Sequence, residues 1–555
     1  MGRPLLRPPR APSRRDFIRR SGGAALAAAA LPLVPLRAVA TGPVFQHGVA
    51  SGDPLADRVI LWTRVTPPDA ATAAIDVDYV VATDPALTQP VRAGRVRTSA
   101  QRDFTAKVDV AGLEAARTYY YRFGALAALS PVGRTRTLPT GSTERLRIAV
   151  ASCASHAAGY FNAYRRIAER ADLDLVLHLG DYLYEYGSNV FGAVRPTEPP
   201  TEAVTLADYR TRHAQYKRDA DLQEMQRQHA LLAIWDDHEV ANDAWRGGAE
   251  NHDPATEGRW RVRREDALQA YYEWMPVREP VERRQAQRSL RLGDLAEIVL
   301  LEERHSARSR QLPAPIPVPG LGQGFKASGR FLDPARTMLG SEQEAWVGAV
   351  LAQSTARWKL VGQGVMLAQL KALGRSNADG GSIFVNPDQW DGYPPARERL
   401  FDLIEPTGNV VVLTGDIHSA WANDLARDPN NPDVAAGGYD AATGQGSIAV
   451  EFVTTSITSP GVDDPDGLFA RIVHGQNPHV RHLDLDHHGY LLLDITAERV
   501  VGEYWSVDTV LAPSNNQVFS AAFEVRDGTR HLVPSAPTRP RPAAPAPAPR
   551  PQDGT

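Results

Sequence analysis

Short apolar segments that end in potential metal ligands are the feature that most restricts how this sequence can fold. In the stretch from Leu173 to Glu185, an almost unbroken apolar run stops at Gly180, and Asp181 follows at once. Such a run is typical of a strand that is buried on both faces in a layered sheet. Because α/β enzymes bind ligands at the carboxyl ends of their strands, Asp181 is well placed for chemistry.

The same pattern occurs four times, which argues against chance. A single aspartate after a strand is more often a helix cap or a turn residue than a ligand. Here, however, three further apolar runs also end in metal-binding residue types. The run 146–152 leads to Cys153, the run 231–235 leads to Asp236, Asp237, His238 and Glu239, and the run 410–415 leads to Asp416 and His418.

The candidate ligands fall into two groups according to the metals that they suit. One group contains donors that are electron-rich when deprotonated and suits a trivalent or borderline metal such as iron; its members are Cys153, Asp181, Tyr184 and His418. The other group offers oxygen donors for calcium, magnesium, manganese or zinc; its members are Asp237, Asn242 and Asp416. If Asp181 is shared, two metals would lie about 3.5–4 Å apart, as in enzymes that catalyse displacement at phosphorus.

Composition and charge limit the class of protein. The apolar fraction of 43% is that of a globular chain, and 555 residues are enough for two or more domains. The formal net charge of −4 argues against sequence-specific binding of nucleic acid through a broad basic face. The single cysteine, Cys153, excludes an intramolecular disulfide. A lone cysteine is usually a small buried apolar residue, but the position of Cys153 favours a thiolate ligand.

Residues 1–40 are predicted to be an export signal. Arg14 and Arg15 precede a weakly apolar, alanine-rich run, and Ala38 and Ala40 belong to a small-residue cleavage pattern. The paired arginines resemble a twin-arginine signal, which predicts a partner in the twin-arginine export machinery and a periplasmic or extracellular location. The alternative is a basic surface segment before a short helix. No transmembrane segment is predicted in the mature chain.

The rest of the chain divides by pattern into two domains and a tail. Residues 44–140 contain alternating or β-branched runs between turn signals, which predict an N-terminal β-sandwich. Residues 144–525 alternate strands with helical patterns, which predicts an α/β catalytic domain. Residues 535–555 are rich in Pro, Ala and Arg and predict a disordered tail.

Within the catalytic domain, local patterns predict helices and one long loop. Helical spacing covers 160–171, 206–227 and 341–352, and Ser341 with Glu344 predicts a capping box at the start of the last helix. The Pro- and Gly-rich segment 307–330 is too long for a simple connector, and such loops are usually lids, binding surfaces or disordered.

Three motifs, in order along the chain, carry a resemblance to a known family. They are Gly180-Asp181-Tyr182-Leu183-Tyr184-Glu185, Trp235-Asp236-Asp237-His238-Glu239 with Asn242, and Gly415-Asp416-Ile417-His418. They resemble the motifs of the PhoD-like alkaline phosphatases, within the calcineurin-like metallophosphoesterases, and residues 45–54 resemble the N-terminal β domain of that family. The resemblance implies an αββα sandwich, export by the twin-arginine route, and an Fe³⁺ and Ca²⁺ site that hydrolyses phosphate esters.

The resemblance also implies roles for individual residues. Iron would be held by Cys153, Asp181, Tyr184 and His418. The divalent ion, Ca²⁺ or alternatively Zn²⁺, Mn²⁺ or Mg²⁺, would be held by Asp181, Asn242 and Asp416, with Asp237 as a further candidate.

Two further residues are catalytic candidates. His238 resembles the family histidine that protonates the leaving group or steadies the phosphate, although Asp237 precedes it where the wider pattern has Asn. The alternative for His238 is a core histidine bound to Glu239 or a carbonyl. Where the family commonly has Asp-x-Arg, this chain has Glu302, Glu303 and Arg304. Arg304 is therefore either a phosphate clamp or a structural arginine paired with one of these glutamates.

The predicted function is metal-dependent hydrolysis of phosphate monoesters or diesters by a metal-activated hydroxide, without an enzyme–phosphate intermediate. The motifs do not specify the leaving group. A phospholipase D-like phosphodiesterase that acts on small-molecule or lipid-head-group esters is therefore an alternative within the hydrolases. A second alternative is a non-catalytic envelope-binding protein, for which the Arg-containing tail is the supporting feature and against which the intact ligand set argues.

Overall fold

The computed structural model describes residues 43–318 and 322–551. The predicted export signal lies outside this range, as do the last four residues of the predicted tail. Among the described residues, no helix combines the length and apolar character needed to cross a membrane.

The helices and strands are numbered here in chain order. The helices are α1 (Asn162–Ala168), α2 (Leu206–Lys217), α3 (Ala220–Gln228), α4 (Trp260–Trp274), α5 (Gly340–Gln353), α6 (Pro394–Ile404) and α7 (Leu468–Gln476). The strands of the N-terminal region are β1 (Val49–Gly52), β2 (Arg58–Arg64), β3 (Ala74–Ala82), β4 (Pro90–Ser99), β5 (Thr105–Ala111), β6 (Thr118–Ala125), β7 (Ala128–Leu129) and β8 (Gly133–Arg136).

The remaining strands follow in two groups. The first group is β9 (Arg145–Ala151), β10 (Leu175–Leu179), β11 (Ala230–Ile234), β12 (Arg288–Leu292), β13 (Ala296–Leu300), β14 (Ile316–Val318), β15 (Gly322–Gly324), β16 (Trp358–Gln363), β17 (Lys371–Leu373) and β18 (Ile383–Phe384). The second group is β19 (Val410–Thr414), β20 (Ala420–Ala426), β21 (Ser447–Val453), β22 (Val480–Asp484), β23 (Gly489–Thr496), β24 (Arg499–Val507), β25 (Gln517–Arg526) and β26 (Val533–Pro534).

Two mixed sheets form the α/β core. The larger sheet has the order β26-β25-β24-β23-β9-β10-β11-β1-β2-β5, and the smaller has the order β12-β13-β16-β19-β21-β20-β22. Both contain a parallel central block, β9-β10-β11-β1 in one and β13-β16-β19-β21 in the other. Every residue of β10, β11 and β19 is buried, as the unbroken apolar runs predicted.

The two sheets share one apolar core, and helices cover the outer faces. Leu177 and Leu491 from the larger sheet belong to the same buried cluster as Leu360 and Leu413 from the smaller sheet. Helices α5 and α6 contribute to a second cluster, which contains Val361 from the outer face of the smaller sheet. This layered arrangement confirms the predicted α/β fold class.

The N-terminal β-rich region is a two-layer structure that shares strands with the core. One layer is its own sheet, β4-β3-β6-β7 with β8 paired to β6. Its other layer is β1, β2 and β5, and the buried cluster between the layers includes Leu61 and Phe123. The sequence predicted an accessory sandwich over 44–140; the structure shows in addition that β1 pairs in parallel with β11, so the larger sheet continues into this region.

Two details of the helix predictions are wrong. The helical pattern over 206–227 is divided into α2 and α3 because Asp219 accepts hydrogen bonds from the backbone of Asp221 and Leu222 and begins a new helix. The predicted capping box at Ser341 is also not formed. Helix α5 begins one residue earlier, and Glu344 pairs instead with Arg399.

The C-terminal segment differs from the predicted disordered tail, because residues 535–551 follow a defined path along the protein. Arg541 forms an ion pair with Asp174 and its backbone donates to Asp172. Ala548 is 2% exposed and hydrogen-bonds through its backbone to Gln228. These partners lie at the amino ends of β10 and β11, opposite the strand ends that carry the candidate ligands. Composition did not reveal these contacts, because the buried carboxylates that bind Arg541 are distant in sequence.

Removal of residues 535–555 should lower thermal stability while leaving ester hydrolysis intact. The deletion exposes the buried partners of Arg541 and Ala548, and we expect the melting temperature to fall by about 5 °C. Differential scanning fluorimetry and kcat/KM measured together test this, with Arg541→Ala as a partial version. An unchanged melting temperature in the deletion variant would show that the segment contributes nothing to stability.

Buried neutral histidines should make the fold sensitive to acid. Burial lowers the pKa of His47, His178, His229 and His479 to about 3. Between pH 6.5 and 3 the unfolded chain therefore binds protons that the native state does not. The free energy of unfolding consequently decreases as the pH is lowered through this range. At pH 5 each such histidine costs up to about 2 kcal/mol. The urea midpoint of His229→Gln should change less between pH 7.5 and 5.5 than that of a variant at the exposed His487; equal changes would contradict the assignment.

Candidate metal centre

The candidate ligands meet where strands of both sheets end. Cys153, Asp181 and Asp236 follow β9, β10 and β11 of the larger sheet, and Asp416 follows β19 of the smaller sheet. Gly180 and Gly364 leave room for Asp236, because a Cβ at either position would lie 2.4 Å from an atom of its side chain. The four strand ends that the sequence singled out therefore form one site.

Several ligand candidates have left-handed backbone conformations. The φ angle is 59° at Cys153, 55° at Asp181, 62° at Asp416 and 56° at His418. Non-glycine residues in this region cost of the order of 1–3 kcal/mol each and are common at functional sites. The backbone is thus strained at the points where the side chains are presented.

Three overlapping groups of side chains could each hold a metal ion, with ligand atoms within 4.8 Å of one another. The groups are Cys153-Asp181-His418, Asp181-Asp237-His238 and Asp236-Asp237-Asp416. Asp181 belongs to the first two, as the prediction of a shared carboxylate requires.

Tyr184 joins the three residues of the first group, so four potential ligands surround one small volume. The Cys153 sulfur lies 3.5 Å from Asp181 Oδ2, and the Tyr184 hydroxyl lies 3.0 Å from both Asp181 Oδ2 and His418 Nε2. Because His418 Nδ1 donates to the Pro460 carbonyl, Nε2 carries the lone pair. The thiol, carboxylate, hydroxyl and imidazole nitrogen thus converge on one point, and this set of ligand types suits a borderline cation such as iron.

The pKa shifts of these groups also indicate that the site suits a cation. Burial, and then the charge of Asp181, raise the pKa of the Cys153 thiol well above its usual value, and the same two causes raise the pKa of the Tyr184 hydroxyl. Burial also raises the pKa of Asp181 and of Asp416. A bound cation would offset all four shifts, because it favours the anionic forms.

The acidic half of the site also fits a cation. Asp236, Asp237 and Asp416 bring three carboxylates together, and the side chain of Asp416 is 17% exposed. The Oδ1 atom of Asp237 is buried and has no hydrogen-bond partner within residues 43–318 and 322–551. An unpartnered buried carboxylate oxygen is costly unless a ligand such as a metal ion occupies its free lone pairs.

His238 lies beside these acids with a fixed orientation. Its Nδ1 is 2.8 Å from Glu185 Oε2, so Nε2 is the nitrogen left for a substrate or metal. Although burial lowers the pKa of His238, the carboxylates of Asp237, Glu185 and Asp181 raise it well above 6.5. The histidine is therefore held by Glu185, and not by Glu239 as the structural alternative proposed.

Glu239 instead fixes the backbone of two ligand-bearing turns. Its carboxylate accepts hydrogen bonds from the amides of Asp181, Tyr182 and Asp236 at 2.8–3.1 Å. The carboxylate of Glu185 similarly accepts from the Asn242 amide at 2.7 Å, which places Asn242, half-buried, on the neighbouring loop. Two buried glutamates thus connect the turns after β10 and β11.

Arg304 is fully buried and hydrogen-bonded to acids that the sequence analysis did not connect with it. Its guanidinium donates to Asp236 at 2.9 Å and to Asp388 at 2.8 Å, and lies 3.4 Å from Asp416. The predicted alternative, pairing with Glu302 or Glu303, is wrong for the side chain: Arg304 contacts Glu302 only through its backbone amide, which donates to the carboxylate. This leaves Arg304 holding the site acids in place.

Three residues at this site were not predicted. Asp236 belongs to the motif that begins at Trp235 but was not predicted to be a ligand. Asp388 and Gln389 come from the loop before α6, and Gln389 Nε2 lies 3.4 Å from Asp416. No strand end or motif marks these two residues, so only the folded chain brings them to the site.

Two facing sheets that present clustered carboxylates, a thiol, a phenol and histidines at one edge define the class of metal-dependent phosphoesterases. Comparison with known proteins narrows the class. Residues 148–504 match the model of the PhoD-like phosphatases, and residues 28–139 match the model of the N-terminal domain of PhoD-like phosphatases. The chain belongs to the PhoD-like phosphatase family, and it is a phosphoester hydrolase.

Two individual relatives support this membership. Alkaline phosphatase D of Bacillus subtilis (strain 168) is 36% identical over 487 residues, which cover 84% of this chain and 78% of the relative. A solved structure described as PhoD is 34% identical, with a TM-score of 0.78 over 90% of this chain and 94% of the other. The similarity therefore covers the N-terminal β region as well as the catalytic core.

Proposed function

We propose that this chain hydrolyses phosphate esters with two metal ions, Fe³⁺ and a divalent ion that is Ca²⁺ or one of its alternatives Zn²⁺, Mn²⁺ and Mg²⁺. The observation that carries the proposal is the position of Asp181 in two adjoining groups of ligand atoms. In this assignment Cys153, Asp181, Tyr184 and His418 hold the iron, and Asp181, Asn242, Asp416 and Asp237 are the ligands for the divalent ion.

The metals would supply Lewis-acid chemistry: they lower the pKa of a water molecule and neutralise phosphate oxygens. The chain supplies the remaining elements. His238 offers Nε2 as the proton donor to the leaving oxygen, and Glu185 orients its ring through Nδ1. The hydrogen bond from Nδ1 to the Glu185 carboxylate stabilises the protonated imidazole and so favours this role.

Arg304 acts on the site through its acids in this proposal. Four contacts with Asp236 and Asp388 occupy its guanidinium, so its charge offsets the repulsion among carboxylates. A direct contact with a phosphate oxygen would compete with these bonds. We therefore assign Arg304 to positioning and not to clamping the substrate.

We also propose that the protein is exported by the twin-arginine machinery to the periplasm or the extracellular space. The support is the sequence around Arg14 and Arg15, followed by the alanine-rich run and the cleavage pattern. Replacement of both arginines by lysine should retain the protein in the cytoplasm of its host, as cell fractionation would show.

Elemental analysis of the purified protein, combined with ester assays, tests the proposed chemistry. We expect about one equivalent of iron with a divalent partner, and hydrolysis of p-nitrophenyl phosphate or bis-p-nitrophenyl phosphate that chelation abolishes. The ratio of the two rates reports monoester against diester preference, including the phospholipase D-like alternative. A folded, metal-free protein that no added metal activates would refute the assignment of Cys153 and Tyr184.

A further inference from the structure

Three aromatic side chains surround His238. The ring of Tyr184 is 4.2 Å from that of His238, and the rings of Tyr186 and Phe191 are 5.4 and 6.1 Å away. Phe191 also lies 6.0 Å from the ring of His418. Tyr184 is buried, whereas Tyr186 and Phe191 are half-buried, so these two rings have accessible surface beside the candidate ligands.

Phe191 is held flat against a candidate ligand. Its ring stacks on Tyr184 with a centroid separation of 5.1 Å and an interplanar angle of 14°. Tyr186 lies 5.4 Å from Phe191. Both residues are only half-buried, so part of their surface remains accessible to a substrate group.

The loop that carries Phe191 has a fixed course. The Phe191 carbonyl accepts from the Ser155 hydroxyl at 3.3 Å, and the Val194 amide donates to the Ala157 carbonyl at 2.8 Å. Gly192 has φ of 113° and packs so closely that a Cβ there would lie 2.6 Å from the Ala158 backbone. The loop is thereby attached to the segment that follows Cys153, and Phe191 is positioned before any substrate binds.

We propose that Phe191 and Tyr186 form a platform for the organic group of the substrate, and that the preferred esters carry a planar aromatic ring in that group. This inference rests on the proposed function, because it requires the phosphoryl group to lie among the metal ligands. An ester bound in this way has its leaving oxygen near His238 Nε2, and its organic group extends past the two accessible rings. Stacked aromatic pairs with centroids 4.5–7 Å apart gain about a factor of ten in affinity.

Phe191→Leu tests the platform, because leucine keeps apolar volume and removes the aromatic face. The measured quantity is the ratio of kcat/KM for phenyl phosphate to kcat/KM for glycerol 3-phosphate, relative to the parent ratio, which cancels the intrinsic reactivity of the two esters. We expect the ratio to fall about tenfold in Phe191→Leu and to be retained in Phe191→Tyr. Adenosine 5′-monophosphate as a third ester distinguishes a ring directly on the phosphate from one that is carried by a sugar.

Val190→Ala is the matched control, since Val190 adjoins Phe191, is 67% exposed and is not part of the platform. Calorimetric titration with phenylphosphonate and methylphosphonate provides a readout that does not depend on turnover. Phe191→Leu should weaken the binding of phenylphosphonate about tenfold more than the binding of methylphosphonate. An equal loss for both esters and both phosphonates would overturn the proposal and reduce Phe191 to a support for Tyr184. A parent protein that hydrolyses no ester would instead refute the proposed function.

Discussion

An Asp181→Asn variant should lose phosphoester hydrolysis by a factor of roughly a thousand or more, about 4 kcal/mol of transition-state stabilisation. Its carboxylate is the one candidate ligand that both proposed metal sites share, and the amide removes the negative charge while preserving the shape of the side chain. The buried position, 1% exposed, gives solvent little access to replace the lost oxygen. We expect kcat to fall with both p-nitrophenyl esters, and the bound metal to decrease in elemental analysis.

The control for Asp181→Asn is Asp494→Asn. Asp494 is also a buried aspartate, but it pairs with Arg145 and Arg147 far from the site. The Asp494→Asn variant should change the stability of the protein but should not lose kcat or bound metal as Asp181→Asn does. If Asp181→Asn folds normally and hydrolyses esters at the parent rate, the two-metal assignment is wrong.

Arg304→Met should destabilise the protein by about 3–5 kcal/mol when metal is removed, because it leaves Asp236 as a buried carboxylate without its counter-charge and removes one of the two arginines that bind Asp388. Bound metal should offset part of this loss, since a cation can replace some of the missing positive charge. Urea unfolding in the presence of a chelator measures the loss of stability without metal, and the same experiment with added metal measures how much of that loss the metal offsets. Arg304→Lys retains the charge but cannot form the paired hydrogen bonds, and we expect an intermediate loss.

Arg399→Met is the comparison for Arg304→Met. Arg399 pairs with Glu344 in a part-exposed position, with 35% of its side chain accessible, and such pairs contribute at most about 1 kcal/mol. If the two variants lose similar free energies of unfolding, the burial of Arg304 does not explain its contribution to stability. If added metal does not reduce the loss of stability in Arg304→Met, Arg304 does not act by balancing the charge of the metal-binding acids.

The parts that could be predicted from sequence depend on strong local patterns. Strands β10, β11 and β19 are buried on both faces, so their apolar runs are unbroken and their ends are clear. Because four such runs end in metal-binding residue types, the positions of Asp181, Asp237 and Asp416 beyond the strand ends could be predicted. The resemblance to the family then implied the αββα sandwich, which periodicity alone does not specify.

The parts that could not be predicted depend on contacts between distant segments. Arg304 precedes its partner Asp388 by a long stretch of chain, and no local pattern connects them. The Pro-rich segment around Arg541 has the composition of a mobile tail, yet buried carboxylates near the start of β10 bind it. The pairing of β1 with β11 likewise depends on tertiary contacts between distant segments and not on a local pattern.

The place of β23 in the larger sheet has a consequence for how the protein is made. Leu491 in β23 pairs with Val150 in β9, so the strand that leads to Cys153 acquires its second neighbour only after the whole of the intervening chain has been synthesised. Until then β9 is an unprotected sheet edge, which favours aggregation, and the high contact order slows folding. Completion of this sheet edge, and not metal supply alone, is therefore a step at which active enzyme can be lost.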